Sequence, residues 1–473
     1  MAMFIKGIKI RKFFLIFLFF HVLIWTIVPL LANSNLPLDT IEALAWASDI
    51  QWGYSKHPPL SAWFVGLVFN IFSNQDWAYY LLSQIFVIVS FITVWKLSEY
   101  FFQNKIHSFL SVLLLEGIFF YNFTTPEFNV YICELPFWAL TVFYFWKGIK
   151  QNDYISWLLF GFFAGLGVLS HYLFFYLLIS LELFFVYIIF KKEFNYKCLV
   201  SLITFFLIIV PHLIWLKEND FITIAYALHR TGVEDLRFID HLYHPLIFLL
   251  KQTVLLIPFF IMLLFIIKKF KYKINFKDKK LIFLIIINLI PLFLVFSTSF
   301  FLGAKIKTMW MTPFYLFIGV LCLYIFKNFI YEKKLKFFLN IFLIIFILSP
   351  SIYLYHSFSK NNQRTDHLGK KISQIIQTEW DNNFSNEIEI VFGNIWDAGN
   401  LTYQLKSKPK WTGGLWRGTK EIPENVKDGI ILIGDYKSDI SVHKYCTPSM
   451  ELNYVVTLQL KSFNYNVCMI GKK

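Results

Sequence analysis

Long apolar runs, separated by short polar segments, fill about the first three-quarters of the chain. They fall near residues 13–32, 79–101, 106–123, 130–146, 155–170, 172–190, 198–216, 245–267, 281–300, 309–326 and 337–354. Most are close to the roughly 17–25 residues with which an α-helix crosses a bilayer. Their apolar positions are continuous rather than alternating, which argues against a transmembrane barrel. Backbone polar groups in lipid must be bonded internally, so each run is read as helix. The pattern therefore predicts a mainly α, polytopic membrane protein with about eleven transmembrane helices. The block over 155–190 is divided only at Ser170-His171.

The pattern changes near residue 360. Residues 366–380 show the spacing of an amphipathic helix, and 387–392 and 429–433 read as strands. A second helix is expected over 396–405, and a closing strand pair over 453–460 and 464–470. The division predicted is a membrane domain over 1–355 and a small α/β extracytoplasmic domain over 356–473. Neither an internal repeat nor a low-complexity linker is visible.

Composition fits this class. The chain is 57% hydrophobic, above the roughly 45–50% apolar content of soluble domains. The net charge of +14 would raise the question of nucleic acid in a soluble protein. Here the basic residues gather in short loops, and no basic-aromatic module is present, so no nucleic-acid partner is expected. With the N-terminus placed inside, 22 Lys and Arg fall in inside segments and 6 in outside loops. That asymmetry predicts a cytoplasmic N-terminus and an external C-terminal tail. In a bacterium this is a multi-pass inner (plasma) membrane protein with a periplasmic C-terminus. The first run also fits a signal peptide cleaved near Ala32, but the many later runs favour an uncleaved anchor.

The expected outside loops carry the acids: Asp39, Glu42, Asp49, Asp76, Glu127, Glu218, Asp220, Glu234, Asp235 and Asp240. Polar chemistry is therefore expected on the external face. Residues 36–63 are the densest case, with Asp39 and Glu42, Trp46, Trp52, Tyr54 and the run Lys56-His57-Pro58-Pro59-Leu60. On a helix, Asp39, Glu42, Trp46 and Asp49 share one face. One reading is an interfacial helix whose early acids suit its dipole. The other is a reaction site, with the rigid Pro-Pro pair aiming Lys56 and His57 at a lipid phosphate. Lys305 and Lys307 are external against the charge trend, and either touch headgroups or bind phosphate. Glu116 and Glu182 lie inside runs and are either functional or paired structural carboxyls. Cys133, Cys198 and Cys322 read as packing residues. Cys446 and Cys468 fall in the external domain, where disulfides form, and are expected to pair. No Walker loop, GxSxG, HExxH or G-x-G-x-x-G is present, which favours a lipid-linked donor over a nucleotide sugar.

The acidic helix followed by a [K/H]PPL run resembles the first external loop of glycosyltransferase family 39. Four further pieces follow in order. Thr125-Pro126-Glu127 with Glu134-Leu135-Pro136 resembles the second external loop, where Glu134 is the better match to the family's acid. Residues 161–172, GFFAGLGVLSHY, resemble a G-x-x-x-G-L-x-x-L-[ST]-K-Y span, with His171 in place of Lys. Pro211 to Trp215 with His229 resembles a P-x-x-W-N…H segment, although Leu216 stands for Asn. Residues 303–315, GAKIKTMWMTPFY, resemble a K-x-x-x-W-x-x-P-x-Y segment.

The resemblance implies a GT-C glycosyltransferase moving one sugar from a polyprenyl-phosphate donor to a lipid, glycan or protein acceptor outside. It implies catalytic roles for Asp39, Glu42 and Glu134, and substrate or phosphate contacts from Lys56, His57, His171, Lys305 and Lys307. Asp39 is the expected general base for a hydroxyl acceptor; for a phosphate acceptor it positions a substrate instead. Direct displacement would invert the anomeric centre. No cofactor is identified, and a divalent metal held by external carboxylates and His57 is left open. The alternative class is a flippase for the same lipid-linked sugars, though paired broken helices and repeats are not visible. A structural subunit of an envelope complex is a third reading, against which the ordered motifs argue.

Overall fold

A computed structural model describes residues 8–232, 237–269, 275–360 and most of 363–434, with 454–460 and 465–472. The chain opens with helix α1 (Ile8–Ala32) and a short α2 (Leu38–Ala47). Helices α3 (Leu60–Phe72), α4 (Asp76–Ser98) and α5 (Lys105–Leu113) follow. Two 3-10 turns, Leu114–Gly117 and Phe119–Tyr121, lead to α6 (Val130–Gln151), α7 (Tyr154–Ser170) and α8 (Phe174–Phe190). Then come α9 (Val200–Glu218), α10 (Ile222–Arg230), α11 (Asp240–Leu255), α12 (Ile257–Leu264) and α13 (Lys279–Leu302). A 3-10 segment, Thr308–Tyr315, precedes α14 (Ile318–Ile325) and α15 (Leu335–Ser359).

The helix starts are written locally. The Asn129 side chain accepts from the backbone N–H groups of Tyr131 and Ile132, and Asp153 accepts from Ser156. Such caps satisfy donors that have no partner inside the helix. The outer faces carry apolar side chains in the open, among them Phe19, Leu207 and Ile347, each more than 60% exposed. That is the surface of a multi-pass membrane protein.

Among the described residues, five helices are long and apolar enough to cross a membrane, or seven if each bent pair is one span. Three more apolar helices are shorter. The expected eleven runs do not all become straight spans. The run at 106–123 breaks at Leu113 into 3-10 turns. Gly117 marks the reason: a Cβ there would lie 2.6 Å from the Phe259 backbone, so the chain is pinned against α12. The runs at 245–267 and 309–326 bend by 43° and 54° at short breaks. Helix α3 had no counterpart among the expected runs.

One end of the bundle gathers the basic segments. Arg11 faces Glu99 at 4.0 Å, Lys197 donates to the Asn152 carbonyl at 3.0 Å, and Lys279 pairs with Glu193.

After α15 come α16 (Gly369–Asn383), β1 (Ile390–Phe392), α17 (Asp397–Gln404), β2 (Lys410–Gly414), β3 (Thr419–Lys420), β4 (Ile430–Gly434), β5 (Tyr454–Leu460) and β6 (Tyr465–Gly471). The sheet order is β3-β2-β1-β4-β6-β5. Strand β1 is parallel to β2 and β4, and α17 makes the crossover from β1 to β2. Strands β5 and β6 form the antiparallel closing pair.

This layer is fused to the membrane region. Ala45, Trp46, Tyr54 and Ala62 belong to the same apolar cluster as Ile372, Trp380, Val391, Trp411 and Val467. Helix α17 lies on α2: a Cβ on Gly399 would sit 3.1 Å from Ile41 and 3.2 Å from Ala45. The Trp411 N–H donates to Ser48 Oγ at 2.8 Å, and Tyr403 OH donates to Asp76 at 2.6 Å. The N–H groups of Ser34 and Asn35 both donate to the Thr365 carbonyl, at 2.9 and 3.0 Å.

Candidate active site

Pro37 starts α2 in an extended conformation and caps it with no side-chain hydrogen bond. The first N–H groups of α2 therefore need acceptors from elsewhere. The segment before α6 supplies one. The Asp39 N–H donates to Glu127 Oε1 at 3.0 Å, and Thr40 Oγ1 donates to the Phe128 carbonyl at 3.2 Å. These bonds bring the Asp39 and Glu127 side chains into one corner. Glu42, one turn further along α2, is almost fully buried and ion-paired with Lys56. The loop bearing Lys56 is rigid. Tyr54 N–H donates to the His57 carbonyl at 3.1 Å, Trp63 Nε1 donates to the Gln51 carbonyl at 2.8 Å, and Trp46 stacks on Tyr54. Pro58 and Pro59 then lead directly into α3.

These groups face a cavity of about 650 Å³. Asp39, Glu42 and Glu127 lie on its wall with Lys56 and His57, and the junction of α7 and α8 adds His171 and Tyr172. Tyr226 and Arg230 of α10, Lys307, and Arg364 from the start of the C-terminal layer complete the polar lining. Tyr176, Ile179, Met309 and Trp310 give it an apolar flank. A volume of this size takes a sugar and its phosphate.

Burial sets the proton affinities. It pushes the Glu127 carboxyl up to about 8, helped by the neighbouring Asp39 charge. Burial also raises Asp39, opposed by Lys56, Lys307, Arg364 and Arg230. Two neighbouring carboxyls, both raised, titrate as a pair. Burial lowers His57 well below the usual imidazole range, with His171, Lys56 and Arg230 adding to it, and lowers His171 to about 3. Both rings are therefore neutral in the open cavity. The basic side chains of the lining are Lys56, Arg230, Lys307 and Arg364.

Residues 56–215 match the family model described as dolichyl-phosphate-mannose-protein mannosyltransferase. The fold matches the crystal structure of ArnT from Cupriavidus metallidurans bound to undecaprenyl phosphate. The TM-score is 0.60 at 11% identity, over 97% of this chain and 98% of that one. The chain has the GT-C fold of that ArnT structure, and its residues 56–215 are similar to the mannosyltransferase family. The apo structure of the same ArnT matches at a TM-score of 0.56 and 11% identity, over the same 97% and 98%. No curated protein matches the chain.

In this GT-C chain, Asp39, Glu42, Lys56, His57, His171 and Lys307 come together in one cavity. Glu134 and Lys305 do not line it. Glu134 is wholly buried on α6, one turn behind the cavity-lining Tyr131, with Oε2 3.9 Å from His171 Nδ1. The Lys305 N–H donates to the Thr231 carbonyl at 2.9 Å, and its side chain is exposed. Glu127, Arg230 and Arg364 line the site but were not singled out in the sequence. Glu127 had a visible signal: Asn129 caps α6, so Glu127 stands outside the helix, in the segment that meets α2. Among the described residues, no group of three His, Cys, Asp or Glu side chains forms a metal-binding arrangement. Cys468 is buried on β6, while Cys446, Glu234 and Asp235 lie outside the described residues.

Proposed function

We propose that this protein transfers one sugar from a polyprenyl-phosphate carrier to an envelope acceptor, at the external face of the inner membrane. One observation carries the reading. A single cavity sets two neighbouring acids, Asp39 and Glu127, against the cations Lys56, Arg230, Lys307 and Arg364. The cations suit the carrier phosphate, whose negative charge grows as the sugar leaves. The acid pair suits a hydroxyl acceptor, because a carboxylate of raised proton affinity accepts a proton near neutral pH. Asp39 takes the acceptor proton, the acceptor oxygen attacks the anomeric carbon, and the carrier leaves as polyprenyl phosphate. A single displacement inverts the anomeric centre. The undecaprenyl phosphate named for the ArnT structure of the same fold supports a lipid-linked donor.

The test is transfer by purified protein. A synthetic polyprenyl-phosphate sugar should act as donor, and the matching nucleotide sugar should not. Efficient use of a nucleotide sugar without a lipid carrier would overturn the reading.

A further inference from the structure

Glu134 is an unusual carboxyl. It is 0% exposed, and neither of its oxygens has a hydrogen-bond partner in the structure. The nearest ionisable group is His171, with Nδ1 3.9 Å from Oε2. That nitrogen already accepts the Leu173 N–H at 3.2 Å, so in the neutral ring the proton sits on Nε2. His171 lines the cavity, 5.7 Å from the His57 ring and 5.0 Å from the Tyr131 ring between centroids. A carboxylate without donors in a dry site is costly, and so is an imidazolium with no anion. The neutral acid beside the neutral ring is the state without either cost.

An anion in the cavity changes that balance. A phosphate near His171 Nε2 favours the imidazolium, and the carboxylate left at Glu134 would favour it from the other side. Tyr131 and His57, the other titratable groups at the ring, bring no positive charge of their own. We propose that donor binding moves a proton from Glu134 to His171 Nδ1, so that the site makes a cation only when phosphate is present. The O–H bond of the Glu134 carboxyl breaks, an N–H bond forms on the ring, and no proton is taken from solvent. The ring reorients, giving up the Leu173 N–H, so that the new Nδ1–H meets the Glu134 carboxylate and Nε2–H donates to the phosphate. On product release the proton returns. Glu134 is thus a positioning residue acting through His171. This inference rests on the phosphate-bearing donor of the proposed function.

The test uses full-length protein in lipid discs, with polyprenyl phosphate as the probe. Infrared difference spectra should show a protonated-carboxyl band lost on binding, and Glu134→Gln should lack that loss. In transfer assays, Glu134→Gln and His171→Gln should each lower kcat/KM on the order of 10²-fold, the scale of one lost charge-stabilising donor. The double variant should be no worse than His171→Gln alone, because the two act as one unit. An unchanged difference spectrum in Glu134→Gln, or additive losses in the double variant, would overturn the relay. Absence of transfer by the unmodified protein would instead count against the glycosyltransferase reading, and the infrared result would still decide the relay.

Discussion

The backbone N–H of Asp39 donates to the side chain of Glu127 at 3.0 Å. One carboxyl thus caps the helix that carries the other. The cap holds the two acids together, and their shared burial sets their proton affinity. Asp39→Asn keeps the shape and removes the proposed base. Transfer to a hydroxyl acceptor should fall at least about 10²-fold, while the protein still inserts and accumulates. Initial rates at matched protein levels check this, and near-normal turnover would return Asp39 to a purely structural place on α2.

The same pair fixes a pH dependence. A carboxyl held above its ordinary value stays protonated longer, so the base form fills as pH rises. The kcat/KM for a hydroxyl acceptor should therefore climb along a limb set by Asp39, whose carboxyl burial raises above the ordinary carboxylate range. Glu127→Gln removes a like charge beside Asp39, which then ionises at lower pH. A pH–rate series should show the limb moving to lower pH in that variant. A limb that stays in place would separate Glu127 from the titration.

Lys305 and Lys307 are close in sequence and differ in place. Lys307 lines the cavity and Lys305 does not. Lys307→Ala should raise the donor KM by about tenfold or more, with a smaller effect on kcat, as for a charge that holds a ground-state phosphate. Lys305→Ala should change either constant by less than about threefold. Donor titrations of both variants test the contrast, and equal losses would contradict it.

Gly399 lets α17 lie flat on α2. Gly399→Val forces a branched side chain between Ile41 and Ala45. Overpacking of this kind costs about 1–3 kcal/mol. Thermal unfolding in detergent should begin earlier, and transfer should drop although no substrate contact is touched. Wild-type activity in that variant would show that the C-terminal layer does not hold the acidic helix.

The proposed orientation is open to a direct reporter. Alkaline phosphatase fused after Lys473 should be active, and a reporter that works only in the cytoplasm should be silent. The reverse pattern would place the cavity on the other face of the membrane.

Much of the site was legible because it is local in sequence. Asp39, Glu42, Lys56 and His57 lie within nineteen residues. Proline and helical spacing were enough to put them on one loop. The second acid was harder. Two glutamates flank the start of α6, and motif resemblance favoured Glu134. The deciding contact is the bond from the Asp39 N–H, at the start of α2, to Glu127, which no local pattern encodes. Arg364 was hidden for a similar reason. It stands more than 300 residues from Asp39 and reaches the cavity only because Thr365 binds the α1–α2 link. In the fold, hydropathy located the apolar runs but not their breaks, since Leu113 to Tyr121 is apolar apart from Glu116 and Gly117. Strand β2, KWTGG, carries two glycines and little strand propensity. Its place between β1 and β3 comes from the sheet.

The bonds from Ser34 and Asn35 to Thr365, and from Trp411 to Ser48, also set an order of assembly. A ribosome makes the acidic helix among the first fifty residues and its clamp among the last hundred or so. Until the clamp emerges, the helix that bears Asp39 lacks the layer that seats it. A chain released early would carry the reactive carboxylates and much of the membrane bundle without that support. The proposed site is thereby seated only once the C-terminal layer has been made.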